Sequence, residues 1–459
     1  MKKYLSVVFC MSLLSLAAAA QVNNYYVSPS GNNSNDGSQA RPWLTINYAA
    51  SHFALGSSGA TIHVADGTYL ESASSCAPIG SPSSVCMNHG GTSSQPLVVQ
   101  CDNGLNGAAS AGHCTIRQPS NTDKPQFMTI AGVNYVTFQG FDLGGDSSHP
   151  ATLVHAGILI YAKDGNGNFV QVNQNYIHDM ASAADDGIGF GPGCPSEGMI
   201  VVDGNTTGGT IAHDDKFIGN FINNGGSLAS KSCNQFHGIY APGFKQVYEN
   251  NIVGNVPGAG IKVFPSVCSE NVSNNLVFHN GWWGILVKDS GAGGCAADGG
   301  TVGLSTIDNN MAINNGFNTA CSGIMQPVSG SGTNLYSNNL LLGNSPNDNI
   351  NQMNTSASCT STALAGTIST FNGSNTSATI ANTFINYRND GTGDYHLRTG
   401  SVAIDAGTTT CVSGGISPCT PLTSLAGVIR PLPPSIGFDE LGTSATSPQA
   451  PTNLALSVQ

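Results

Sequence analysis

Charge is the scarcest property of this 459-residue chain. Only 9% of its residues are charged, against roughly 25% in an average soluble protein. Fourteen Lys and Arg stand against 26 Asp and Glu, for a net charge of −12. So few cations cannot grip a phosphate backbone, and a nucleic-acid partner is excluded. Aromatic residues are also sparse, at 7%. Beyond the first 20 residues no apolar run approaches the about 20 residues of a spanning helix, so no membrane insertion is expected. No Cys-x-x-Cys pair occurs, which argues against zinc. A leucine-rich-repeat frame, a dinucleotide fingerprint, a phosphate-cradling Gly loop and a Ser/His/Asp esterase frame are missing as well.

Gly and Asn are plentiful instead, with 58 and 46 residues. Both favour turns over helix interiors. A helical enzyme and the helical repeats are therefore poor readings, and a β architecture with many turns remains. Residues 1–20 read as a signal peptide: Lys2 and Lys3, an apolar run from Tyr4 to Leu16, and small residues Ala18 to Ala20. Cleavage before Gln21 removes both lysines and takes the net charge from −12 to −14. Cys10 lies inside the apolar run, so a lipid-anchored cysteine is not expected. The mature chain reads as soluble, secreted or at the cell surface, and as a monomer.

Twelve cysteines follow Cys10, an even number suited to an oxidising compartment. Spacing puts Cys76 beside Cys86, Cys101 beside Cys114, Cys268 beside Cys295 and Cys411 beside Cys419. Cys194, Cys233, Cys321 and Cys359 are left for longer pairings, and spacing alone fixes none of these partners.

Two interleaved repeats organise the chain. One reads Asn-Asn-apolar-apolar, at Asn250-Asn251, Asn274-Asn275, Asn309-Asn310 and Asn338-Asn339, with looser copies at Gln174-Asn175 and Gly219-Asn220. The other reads Gly-Ile, at Ile158, Ile188, Ile239, Ile261, Ile285 and Ile324. Its shortest steps, 22 and 24 residues, fit one coil of a parallel β-helix, with longer steps carrying loops. The predicted fold is an all-β, single-stranded right-handed parallel β-helix, a solenoid whose coils each lean on the next. The Ile column should point inward, and Asn should sit at recurring left-handed bends. Residues 41–55 place apolar side chains at helical spacing after Pro42, which predicts a helix covering the N-terminal end.

The run Tyr25-Tyr26-Val27-Ser28-Pro29-Ser30-Gly31, then Asp36-Gly37, Pro42-Trp43 and Ile62-His63-Val64-Ala65-Asp66-Gly67-Thr68-Tyr69, resembles the opening of exported bacterial pectin-lyase-like β-helix proteins. Asp394-Tyr395-His396-Leu397, Gly400 to Gly407, Arg430-Pro431 and Ile436 to Glu440 resemble the choice-of-anchor Q segment. The resemblance covers about residues 22–441 and implies a fold rather than one chemistry, because that superfamily holds lyases, hydrolases, epimerases and non-catalytic surface proteins. The expected organisation is a signal peptide over 1–20, a cap and first coil over 21–75 and coils with inserted loops over 76–380. A β-rich anchor-like segment follows over 381–441. Residues 442–459 read as a polar linker and the start of a fibronectin type III-like strand.

Strand alternation gives an outward map beside the Ile column: Leu159, Gly189, Tyr240, Lys262, Leu286 and Met325. Two residues on, it reads Tyr161, Gly191, Pro242, Phe264, Lys288 and Pro327. Tyr240, Lys262 and Lys288 gather cations and a phenol on one face, with Asp185, Asp186 and His237 at the strand entrance. A uronate lyase needs such groups: Lys262 as base and Tyr240 as acid, with paired carboxylates to hold calcium as the one cofactor the chemistry invites. A hydrolase reading uses Asp185-Asp186, His237-Gly238 and Ile261-Lys262, which resemble part of the polygalacturonase pattern. Its Asn-Thr-Asp is missing, Phe236 replaces a Gly and Gly260 stands where an Arg would be. His213-Asp214-Asp215-Lys216 reads as a solvated charged turn. Of Trp282 and Trp283, one should pack on the stack while the other offers a sugar-stacking surface. The expected partner is an extracellular polysaccharide, bound and then cleaved, with a non-catalytic adhesion protein as the rival class.

Overall fold

The structure is a computed structural model. It describes residues 21–440 apart from 78, 103–112, 122–125, 163–165, 186, 188–190, 205–211, 265–266, 288–303, 320, 328–333, 354–361, 364–369, 373–377 and 412–415. The signal-peptide segment and the 442–459 tail lie outside the described residues.

Short strands, many of only three residues, recur in threes. The chain lays one on each of three long sheets before returning to the first. The first sheet has ten strands, from Asn23–Val27 to Leu335–Ser337; the second has ten, from Gly67–Leu70 to Thr370–Asn372; the third has eleven, ending at Ser74–Ser75 and Thr362–Ala363. Pairing between successive coils is parallel, and antiparallel pairs close the two ends of the third sheet. The result is a right-handed parallel β-helix.

The predicted Ile column exists on the third sheet, with one correction. Ile158, Ile200, Ile239, Ile261, Ile285, Ile324 and Ile350 stand in register and are at most 3% exposed. Ile200 occupies the place predicted for Ile188, because the strand of that coil is Gly198–Gly204 and residues 181–197 lead into it. The Gly of the motif is sterically required elsewhere: a Cβ on Gly238 would stand 2.3 Å from Val253 Cγ1 across the interior. In the exceptional coil Met199 fills that place, and the relief comes from opposite, where a Cβ on Gly225 would lie 2.3 Å from Met199 Sδ.

The Asn-Asn motif divides its labour. The first residue takes the left-handed backbone, with φ of 54° at Gln174, 56° at Asn250 and Asn274, 54° at Asn309 and 49° at Asn338. Its side chain reaches outward: Asn250 Nδ2 donates to Thr423 O, Asn309 Nδ2 to Thr408 O and Asn338 Nδ2 to Ala406 O. The second residue turns inward and builds a ladder. Nδ2 of Asn175, Asn220, Asn251, Asn275 and Asn310 each donates to Oδ1 of the next, ending at Asn339, over 2.9–3.2 Å. A second ladder joins Asn280, Asn315, Asn344 and Asp348. A third bend stacks Asp215, Gln246, Glu270 and Ser305. Here the reading of 213–216 as a solvated turn is corrected for Asp215. It is fully buried, because its Oδ1 accepts from Val170 N and its Oδ2 from Gln246 Nε2.

The helix at the N-terminal end spans Ile46–His52, capped by Thr45, and buries Ile46, Ala49 and Ala50. It is shorter than the predicted 41–55 because Trp43 is anchored beforehand: its ring stacks on Tyr25 and its Nε1 donates to Asn35 O. At the other end of the chain, residues 378–440 lie along the outer face of the second sheet. Phe384, Tyr395, Leu397, Ile436 and Phe438 pack there against Phe221, Leu276, Phe278, Met311 and Leu340. Among its described residues the named elements are a four-residue helix, Ile380–Thr383, and a hairpin, Phe384–Asn386 with Asp394–Leu397. The buried Arg430–Glu440 ion pair fixes the rest, and Arg430 Nη2 also donates to Asn250 Oδ1 at 2.8 Å.

Disulfides join Cys76–Cys86, Cys101–Cys114, Cys194–Cys233 and Cys411–Cys419. Cys268 and Cys321 are also disulfide-bonded; Cys295 and Cys359 lie outside the described residues.

Two expectations follow. Asn275→Ala strands the buried donors of Asn251, so denaturant titration should show a loss of roughly 3 kcal/mol. Asn274→Ala should instead loosen the C-terminal segment, which its Nδ2 ties at Ser435 O and Gly437 O, and proteolysis should cut there first. The second concerns pH. Burial holds the Asp215 and Glu270 carboxyls well above the usual carboxylate range. Groups with raised folded values contribute stability below their unfolded pKa, and it is lost as pH rises through the folded value. Melting temperature should therefore fall toward alkaline pH, and Glu270→Gln should flatten the fall.

Candidate functional site

The third sheet carries the outward map. Tyr240, Lys262, Leu286 and Met325 stand in register on successive strands. Val201, and not Gly189, precedes Tyr240, and Asp203, and not Gly191, stands beside Tyr161. Both differences follow from the one-coil shift that put Ile200 in the stack. The residue before each Gly also reaches the outer side, so His237, Ala259 and Trp283 flank the same patch. Trp283, Leu286, Met325 and Ala259 form an apolar cluster there, with Phe264 and Trp282 against it.

Lys262 is the centre. Its Nζ lies 3.0 Å from His237 Nε2. The Tyr240, Phe264 and Trp283 ring centroids lie 5.2, 5.6 and 6.0 Å from that nitrogen. Among the described residues no carboxylate pairs with it. Burial pushes its pKa down to about 8. His237 is fully buried, and its Nδ1 accepts from Ala259 N at 3.0 Å. Burial first and Lys262 second hold the imidazole well below its ordinary pKa, so it is neutral. Burial and then the charge of Asp203 raise the Tyr240 phenol, which stays protonated. Burial also raises Asp203. A tunable amine, a phenol and a neutral imidazole thus share one aromatic-walled patch, a set competent for proton transfer.

The remaining predicted residues separate. Lys288 and Asp186 lie outside the described residues. Asp185 is exposed in the 181–197 segment, where its Oδ1 accepts from Gly187 N. It is not on the strand before His237, so the hydrolase order Asp-His-Lys is not assembled on successive strands. Asp203 is the carboxyl that strand presents, and alternation from Ile200 would have revealed it. Trp283 is 4% exposed, while Trp282 is half-buried and donates Nε1 to Lys231 O at 3.2 Å. Among the described residues no group of three His, Cys or carboxylate ligands fits calcium. The converging group is Asp66, Cys101 and Cys114, and its two sulfurs are joined to each other.

A second polar cluster escaped sequence reasoning. On the second sheet Arg117 pairs with Asp142 and Asp146, while His178 bridges Asp142 and Asp179 over 2.7–3.1 Å. Burial opposes the charge on His178, yet the two carboxylates raise its pKa. Burial likewise opposes Asp142, but His178 and Arg117 bring it down to about 2. Residues 61 positions apart meet here, and no local motif announces them.

These features define a parallel β-helix. Residues 29–329 match the family described as protein of unknown function (DUF1565), and the chain belongs to that family. Similar solved structures include pectate lyase Pel9A, with 15% identity, TM-score 0.42 and coverage of 93% of this chain and 98% of that one. A rhamnogalacturonan lyase shows 15% identity, TM-score 0.39 and coverage of 80% and 91%. A glycoside hydrolase shows 8% identity, TM-score 0.43 and coverage of 76% and 96%. A search of the curated proteins finds no match. Among the described residues no helix is long and apolar enough to cross a membrane.

Proposed function

We propose that this is an exported polysaccharide lyase that binds a uronate-containing polymer along its third sheet. Its C-terminal segment is read as a choice-of-anchor Q element that presents the protein at the cell surface. The observation that carries the reading is Lys262: a half-buried amine without a carboxylate partner among the described residues, depressed to about 8, beside a protonated phenol. β-Elimination needs this pair. The neutral amine takes the C5 proton, the electron pair forms the C4–C5 double bond, and the C4–O bond breaks. The Tyr240 hydroxyl then protonates the leaving oxygen. Phe264 and the half-buried Trp282 supply apolar surface for sugar rings. Inverting hydrolysis needs two separated carboxyl roles, and among the described residues no carboxylate pairs with Lys262.

The test is incubation of the full chain with a panel of uronate polysaccharides, reading absorbance of unsaturated products. Lys262→Ala should fold and lose about 10²–10⁴ in rate, as expected when a catalytic base is removed. The rate should rise with pH through the Lys262 midpoint, near 8, because the deprotonated amine is the active form. An unchanged rate in folded Lys262→Ala would remove the base from this site. Polymer binding without product, lost in the same variant, would favour the adhesion reading.

A further inference from the structure

We infer that His237 is a positioning residue that holds Lys262 as a free amine by donating its ring proton to the lysine lone pair. The tautomer follows from two contacts. Nδ1 accepts the Ala259 backbone N–H at 3.0 Å, so it carries no proton. A neutral imidazole then bears its proton on Nε2. That nitrogen faces Nζ at 3.0 Å. An ammonium has three donors and no acceptor, so a protonated Lys262 would set N–H against N–H. The neutral amine has the lone pair that the contact requires.

The chain around His237 keeps this arrangement. Gly258 approaches so closely that a Cβ there would stand 2.6 Å from Nδ1, and His237 is buried. The charged and titratable groups facing Lys262 among the described residues are His237 and Tyr240, with Asp203 acting through Tyr240. None sets a carboxylate directly against the ammonium. The three aromatic rings do so weakly, which leaves the amine able to receive a proton. The amine has a single lone pair, so it must give up the His237 bond before it can take a proton; once protonated it turns its charge toward the rings, and it must release the proton before the bond re-forms. The device therefore both prepares the base and resets it.

The resetting role rests on the reading of Lys262 as the base; the tautomer does not. The first measurement is nitrogen NMR of ¹⁵N-histidine-labelled full chain from pH 5.5 to 9.5, with His237 assigned by its loss in His237→Phe. The expected signal is a protonated Nε2 and a bare Nδ1 that do not titrate. An imidazolium or a protonated Nδ1 would overturn the inference, and this is read in the wild-type chain. The second follows ¹³Cε of Lys262, assigned with Lys262→Arg. Its midpoint should move up by about one pH unit in His237→Phe, the worth of one hydrogen bond. His237→Gln, whose amide can accept from Ala259 and donate to Lys262, should restore it. An unmoved midpoint in a folded His237→Phe would refute the hydrogen bond. The expected tautomer in a protein that releases no unsaturated sugar would leave this inference standing and defeat the lyase reading alone.

Discussion

Every coil of this molecule must turn three times without leaving buried backbone unpaired, and the asparagine ladders meet that constraint. A bend in a β-helix removes residues from the sheet pairing and leaves their N–H groups inside. Asn220, Asn251, Asn275 and Asn310 each accept both a backbone N–H and an amide N–H from the previous coil. The ladder fixes the vertical register of the coils. Register then decides which side chains meet on the outer sheets, since a slip of one residue would send each to the opposite face. Lys262 reaches His237 because the strands Ala259–Val263 and His237–Tyr240 are aligned Ile on Ile.

The two outer faces differ in what covers them. On the second sheet the first asparagine of each pair reaches outward and grips residues 378–440, and the apolar outer side chains disappear beneath that segment. The third sheet keeps Lys262 and Tyr240 only half-buried within aromatic walls. One repeat therefore does two jobs: its inward residue holds the stack, and its outward residue seals one face.

Much of this was legible in the residues. Gly-Ile at steps of 22 and 24 residues announces the coil, and alternation places Tyr240 beside Lys262. The failures are equally specific. Ile188 matched the motif, yet the coil runs through Met199-Ile200, because Gly225 across the interior makes room for a side chain where other coils need Gly. That error carried Asp185 onto the site and left Asp203 unnoticed. Asp215 sat in a charged string and read as solvated, although its acceptors are consumed by Val170 and Gln246 inside the wall.

The sequence by itself determined the solenoid, its inward aliphatic column and its left-handed bends. Those are properties of local spacing, repeated often enough that chance cannot imitate them. Tertiary structure alone decided the contact of His237 with Lys262 and the meeting of Arg117 and His178 on Asp142. Each of these depends on which residues of different coils come within about 3 Å, a distance set by loop lengths and steric relief that no single coil encodes.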